Sequence, residues 1–208
     1  MTGGEYIQSE AELRALYKQP SAGSVAKELG RIDPHMAAFV ALSPFLCIGT
    51  TGPDGKADVS PRGGAPGFVH VLDEGRLAIP DRPGNNRLDT LVNLVRQPAV
   101  ALAFFVPGFE DVVRVNGTAR ISTDPALIER FTLDGDKAPR SVLVVEVSEA
   151  MLHCAKAIRR AGLWDPAAQV DRGAWPTAGQ VLRDHLALDV EVAQIDERLE
   201  KSNRETLY

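Results

Sequence analysis

The 208-residue sequence is poor in cysteine, histidine, net charge and long apolar runs, and each shortage removes a class of function. Its two cysteines, Cys47 and Cys154, lie far apart and make neither CxxC nor CxxxH spacing. No disulfide framework and no metal site is expected, and both read as buried free thiols of a reducing compartment. The four histidines, His35, His70, His153 and His185, are scattered, and none marks a general base or an axial ligand. No run approaches the roughly 20 apolar residues that span a bilayer, and the opening MTGGEYIQSEAEL shows neither a charged n-region nor an apolar h-region. A net charge of −5 offers nucleic acid and anionic membrane no general attraction. The expectation is a cytoplasmic protein with neither as partner.

What is present is an ordinary globular balance, 44% hydrophobic and 25% charged, which accommodates one domain over residues 1–208. Helical signals open and close the chain. Ser9 with Glu12 reads as a capping box before Leu13, Leu16 and Tyr17; Ser21 to Gly30 leaves room for another turn. Asp33-Pro34 reads as a cap with proline at the first helical position, before Met36, Phe39, Val40 and Leu42. These N-terminal helices, about residues 9–42, read as decoration, matched by a C-terminal helical extension over about 177–204 and a fraying end from Ser202 to Tyr208.

Between them the pattern is β. Phe45–Thr51 and Ala57–Pro61 flank the turn Pro53–Lys56, Phe68–Leu72 and Arg76–Ile79 flank Asp73-Glu74-Gly75, and Ala99–Val106 is apolar enough to be central. Val112–Ile121 carries a candidate bulge at Gly117, Asp124-Pro125 caps a short helix, and Ser141–Val147 closes the series. About six antiparallel strands with helical additions give an α+β chain, mainly β, curled into a closed or partly closed small barrel that hides its edges.

The most distinctive stretch is Leu77 to Val95. A strand breaks at Pro80-Asp81-Arg82-Pro83-Gly84 and hands over to a helix with Leu88, Leu91, Val92 and Val95 on one stripe. A polar corner before a helix presents unpaired amides where the helix dipole favours an anion, and Arg82, Asn85, Asn86 and Arg87 add donors. A second arginine-bearing element, Ser60-Pro61-Arg62, ends an earlier strand, and the two can converge on one phosphate. The plainer reading, that Asn85 or Asn86 caps the helix and the arginines are solvated, stays open, since neither GxGxxG nor GxxxxGK[ST] spacing is present. Lys156, Arg159 and Arg160 beside Trp164 form a second basic patch, with Trp164 a candidate wall for a flat ligand.

Taken in order, Phe45–Thr50, Asp58-Val59-Ser60-Pro61-Arg62-Gly63-Gly64, the run Leu77 to Arg87 with its Pro-Asp-Arg-Pro-Gly-Asn-Asn-Arg core, Val113–Gly117 and His153–Ala157 with Leu163-Trp164 resemble the FMN-binding proteins related to pyridoxamine 5′-phosphate oxidase. The resemblance covers about residues 35–166. It implies a split β-barrel and a homodimer with FMN between the subunits. The phosphate would fall to Arg62 and Arg87, with Ser60, Asn85 and Asn86 as neutral donors. Backbone of Ile79, Pro80, Asp81 and Arg82 would face the ring edge, and Lys156, Arg159 and Trp164 would come from the partner subunit, Lys156 stabilising the reduced ring. The C-terminal Arg-aliphatic-His-acid/amide-Arg segment with which pyridoxamine-phosphate oxidases grip their substrate is absent after Trp164 and Trp175, so vitamin B6 oxidation is not implied.

The leading expectation is an FMN-dependent oxidoreductase that moves electrons between a reduced donor and a small-molecule acceptor. The alternatives are a flavin-binding or stress-response protein without turnover, a haem-handling relative, and a user of the deazaflavin F420 in place of FMN.

Overall fold

The computed structural model describes residues 6–132 and 137–206. Residues 1–5, read above for a targeting signal, lie outside the described residues, as do 207–208 at the expected frayed end.

Helix starts follow their caps. Ser9 accepts the Glu12 amide and opens α1 (Glu10–Leu16), Ser21 accepts that of Ser24 at α2 (Ala22–Ala26), and Asp33 accepts that of Met36 at 2.7 Å with Pro34 leading α3 (Pro34–Leu42). α1 and α2 bury nothing and are decoration, as expected. α3 is not, because Met36, Phe39 and Val40 enter the main core. Leu42, about 240° round the helix from Met36, is half exposed instead of sharing that side.

The strands are β1 (Phe45–Thr51), β2 (Ala57–Gly63), β3 (His70–Asp73), β4 (Arg76–Asp81), β5 (Ala99–Phe105), β6 (Val112–Ser122) and β7 (Ser141–His153). α4 (Asp89–Arg96) joins β4 to β5, α5 (Pro125–Glu129) joins β6 to β7, and α6 (Lys156–Ala161), α7 (Ala178–Leu186) and α8 (Val192–Thr206) follow. α8 runs helically through Thr206, so the expected fraying from Ser202 does not hold there. The seven strands, one more than the expected six or so, form one antiparallel sheet ordered β2-β1-β5-β6-β7-β4-β3. No ladder joins β2 to β3 among the described residues, so the sheet is not closed and the fold is a split barrel.

Alternation sorts the side chains into two layers. Leu46 and Ile48 of β1, Leu102 and Phe104 of β5, Val113 and Val115 of β6, Leu143 and Val145 of β7 and Leu77 and Ile79 of β4 share the inner core with α3. On the other face of β4 and β7, Ala78 and Val142 pack under Phe131, Leu127 and Ile128. His70 stacks on the Phe131 ring with centroids 4.1 Å apart, and burial holds its imidazole below the ordinary value.

Three local expectations are corrected. β4 does not break at Pro80 but runs to Asp81: β3 ends opposite Ala78, so the last residues of β4 are paired on the β7 side only and behave as an edge, where proline is tolerated. α4 does not bury Leu88, Val92 and Val95. It buries Thr90 and Leu94, with Leu91 partly covered, because Thr90 Oγ1 donates to Asp58 and Asn93 Nδ2 to Thr50 Oγ1, turning that face inward. Cys47 is half-buried and Cys154 exposed, the latter because β7 ends at His153 and releases the chain.

β6 and β7 pair along their length, and their ladder shifts register between Asn116 and Gly117; the irregularity stands where it was expected, but the extra residue is Ser148 of β7 and not Gly117. A Cβ on Gly117 would stand 2.0 Å from the Glu146 carbonyl oxygen, so backbone approach and not backbone conformation demands glycine. Gly117→Ala is expected to lower the stability by about 2–3 kcal/mol, the scale of an overpacked core site, in urea unfolding. Gly23→Ala, with nothing within 4 Å of the added methyl, should change it by less than about 1 kcal/mol.

Candidate functional site

A groove of about 430 Å³ opens where the inner face of the sheet runs out. One wall is β2. Ser60 pairs with Ile48 and Arg62 with Leu46, so both lie on the core face, and they extend it in polar form where β1's apolar residues stop. The opposite wall is the end of β4, where Asp81 follows Leu77 and Ile79 on that same face and pairs across with the buried Ser141. β2 and β4 stand at nearly opposite ends of the strand order yet line one groove, which requires the sheet to curl back on itself. The loop from Arg82 to Leu88 and the first turn of α4 form the rim.

Eight of the twelve residues singled out in the sequence line this groove: Ser60 and Arg62 from one element, and Pro80, Asp81, Arg82, Asn85, Asn86 and Arg87 from the other. Ile79 does not reach it. Its side chain is fully buried behind the wall, and its partner in the ladder is Leu143. Lys156, Arg159 and Trp164 are also elsewhere. They sit in and after α6, beyond the far end of β7, a strand whose 13 residues extend about 40 Å. There Arg159 pairs with Glu110 and Trp164 Nε1 donates to the Phe109 carbonyl at 2.6 Å.

The arginines of the groove differ in what already holds them. Arg82 follows Asp81, so alternation turns it to the outer layer, where Nη1 donates to the Lys137 carbonyl at 2.6 Å and Nη2 to that of Phe131 at 2.8 Å. It is a clamp. Arg87 Nε donates to Asp89 at 2.7 Å in an exposed pair of small energetic weight, which another anion can displace at little cost. Among the described residues, Arg62 Nη1 donates only to the neighbouring Pro61 carbonyl.

Asn85 and Asn86 do not cap α4. Its N-cap is Leu88, left-handed at φ 61° and without a side-chain acceptor, while Asn85 Oδ1 accepts the Arg87 amide at 3.0 Å. The first turn of α4 therefore lines the groove with no side-chain cap on its amides. Asp58, on the same face of β2, accepts from Ser60 Oγ at 3.2 Å and from Thr90 Oγ1 at 3.4 Å, tying the β2 wall to α4.

Sequence reading missed Asp58, Thr90 and Arg140. Arg140 lines the groove because it precedes Ser141, the ladder partner of Asp81; the signal for it lies in the β4–β7 register, which no local pattern displays. Burial pushes the half-buried Asp81 carboxyl above its ordinary 3.8, and the Arg62 and Arg140 charges pull it back. None of the four histidines lines the groove.

The family model described as pyridoxamine 5′-phosphate oxidase matches residues 32–154, more than half of the chain and all of the groove. No curated protein matches the sequence. Among solved structures, the chain is similar to a variant of HupZ from Group A Streptococcus, with 18% identity over 59% of this chain and 99% of that one and a TM-score of 0.49. It is also similar to a Lactobacillus delbrueckii protein proposed to be a pyridoxamine 5′-phosphate oxidase (22%, 60% and 98%, 0.47), and to General Stress Protein 26 from Bacillus anthracis (14%, 57% and 93%, 0.42).

Arg82→Ala is expected to lower stability by about 1–2 kcal/mol through loss of two charge-assisted bonds to carbonyls. Urea unfolding measures that loss, and trypsin should cut faster after Arg130 and Lys137.

Proposed function

Because the chain belongs to the pyridoxamine 5′-phosphate oxidase family, we propose that it binds FMN in the groove at the split of its barrel, as a homodimer of single-domain chains, and acts as an oxidoreductase between a reduced donor and a small acceptor. One observation carries this reading: two arginine-bearing elements more than 15 residues apart, Ser60–Arg62 and Asp81–Arg87, line the same groove. The donor set fits a phosphate ester. Arg62 and Arg87 supply charged donors, Ser60, Asn85 and Asn86 neutral ones, and the cavity falls within the usual range of about 300–1,000 Å³ for small-molecule sites.

Arg62 would hold the phosphate from the β2 wall and Arg87 from the rim after exchanging Asp89 for it. Backbone from Pro80 to Arg82 would face the ring edge, Pro80 through its carbonyl alone. Bound flavin supplies the acceptance and release of a hydride or electrons. The protein's own part is to anchor, orient and exclude water, which needs no general base in the groove.

Lys156, Arg159 and Trp164, in and after α6 beyond the end of β7, do not line their own chain's groove, so on this reading they arrive from a second copy. α4's outward stripe of Leu88, Val92 and Val95 is an apolar surface of the kind such a copy covers. Among the described residues no helix is long and apolar enough to cross a membrane.

Protein reconstituted with FMN is expected to be yellow and to quench flavin fluorescence saturably. Arg62→Ala and Arg87→Ala should each weaken FMN by about 2–3 kcal/mol, the scale of a hydrogen bond to a charged group, in fluorescence titration. Anaerobic addition of NADH, NADPH or another reduced donor should bleach the bound flavin. Bound flavin that no donor bleaches assigns the protein to flavin holding instead.

A further inference from the structure

We propose that Arg140 joins Arg62 as the cation pair receiving an incoming phosphate dianion, and that Asp81, facing both, takes up a proton as that dianion binds. The inference rests on the phosphate-site reading of this groove and names a residue and a regulation that reading does not contain.

The geometry follows from the ladder. Asp81 pairs with Ser141, so Arg140, the residue just before β7 begins, lies at the end of β4 and lines the groove there, and Arg62 lines it from the edge strand at the other end of the sheet. Neither guanidinium forms an ion pair within 4 Å among the described residues, whereas Arg82 is held by two carbonyls and Arg87 must first exchange Asp89 for the anion. Arg62 and Arg140 are thus the cations with most to gain from a dianion, and a guanidinium fork suits phosphate oxygens.

Asp81 is the group that must respond. It is half-buried, it accepts no hydrogen bond and forms no ion pair among the described residues, and burial already opposes its charge, with Arg62 and Arg140 offsetting that opposition from across the groove. The other charges around the groove leave this balance in place. Asp58 is bonded to Ser60 and Thr90, Asp89 to Arg87, and Arg82 points to the outer layer, as does His70 on its stack with Phe131. A dianion that engages Arg62 and Arg140 removes the offset and adds like charge beside a desolvated carboxylate, and protonation is the only relief open to it. The sign follows: the proton is bound more tightly in the complex than in the free protein, so binding weakens as pH rises through the range in which Asp81 ionises.

The test is isothermal titration of the whole protein with FMN, and separately with inorganic phosphate, between about pH 4 and 8 in buffers of different ionisation heat. Comparing the wild type with Asp81→Asn cancels the ligand's own ionisation. The expected result is a proton uptake present in the wild type and absent in Asp81→Asn. Asp81→Asn should bind FMN about tenfold more tightly at pH 8 and equally well near pH 4, a factor corresponding to one pKa unit. Arg140→Gln should weaken FMN at least about tenfold while leaving riboflavin, which lacks the phosphate, unchanged. Equal proton uptake in wild type and Asp81→Asn, or an unchanged FMN-to-riboflavin ratio in Arg140→Gln, overturns the proposal. Asp81-dependent uptake with inorganic phosphate but no binding of FMN upholds it and removes the flavin reading, and binding of neither anion removes both.

Discussion

The whole site depends on one geometric constraint, that the sheet must curl until its edge strand β2 faces the end of β4. The paired length of β6 and β7 carries the curl, and the extra residue Ser148 of β7, opposite Asn116–Gly117, accentuates the twist between them. Glycine at 117 lets the Glu146 carbonyl approach to a distance no side chain permits. A flat sheet with this strand order would hold Arg62 and Asp81 several strands apart, about 4.8 Å for each strand between, and no groove would exist. The barrel stops short of closing, and that gap is where apolar core gives way to Ser60, Arg62 and Asp81 on one continuous face.

A barrel left open has two liabilities, exposed strand edges and a core that ends in water. The polar row of Asp58, Ser60 and Arg62 meets both. On the inner face of β2 it fixes the edge strand to α4 through the Asp58–Thr90 contact, and it provides charge where an apolar residue would be wetted. Arg82 does the corresponding work on the outer face by tying the β4–α4 loop to the carbonyls of Phe131 and Lys137. The four arginines around the groove therefore have separable duties. Arg82 holds structure, Arg87 is exchangeably paired, and Arg62 and Arg140 face the half-buried carboxylate. Sequence proximity to the Pro-Asp-Arg-Pro corner would have ranked Arg82 above Arg140, and the two carbonyls that hold the Arg82 guanidinium reverse that order.

Much of this was legible before any coordinates. Caps at Ser9, Asp33, Asp124 and Thr177 each accept the amide that residue type predicts. Every strand run corresponds to a strand, and the two arginine-bearing elements meet. The failures share one cause, that periodicity identifies a stripe but not what the stripe faces. Leu88, Val92 and Val95 do form a stripe on α4, yet the buried side is set by Thr90 and Asn93, whose hydroxyl and amide find partners on β2 and β1. Arg140 was invisible for the complementary reason. Its neighbours in sequence say nothing of it, and its place is dictated by a partner strand some 60 residues earlier.

The C-terminal region is tied down by contacts of its own. Where a substrate clamp would need arginine and histidine free to reach a ligand, Arg172 donates to the carbonyls of Trp175 and Pro176, and α7 and α8 lock through the Gly179 amide on Asp196 at 2.7 Å. A Cβ at 179 would stand 2.6 Å from that carboxylate oxygen, so the two helices meet at a distance set by glycine. On the flavin reading, the groove holds the cofactor while α7 and α8 pack on one another through Gly179 and Asp196.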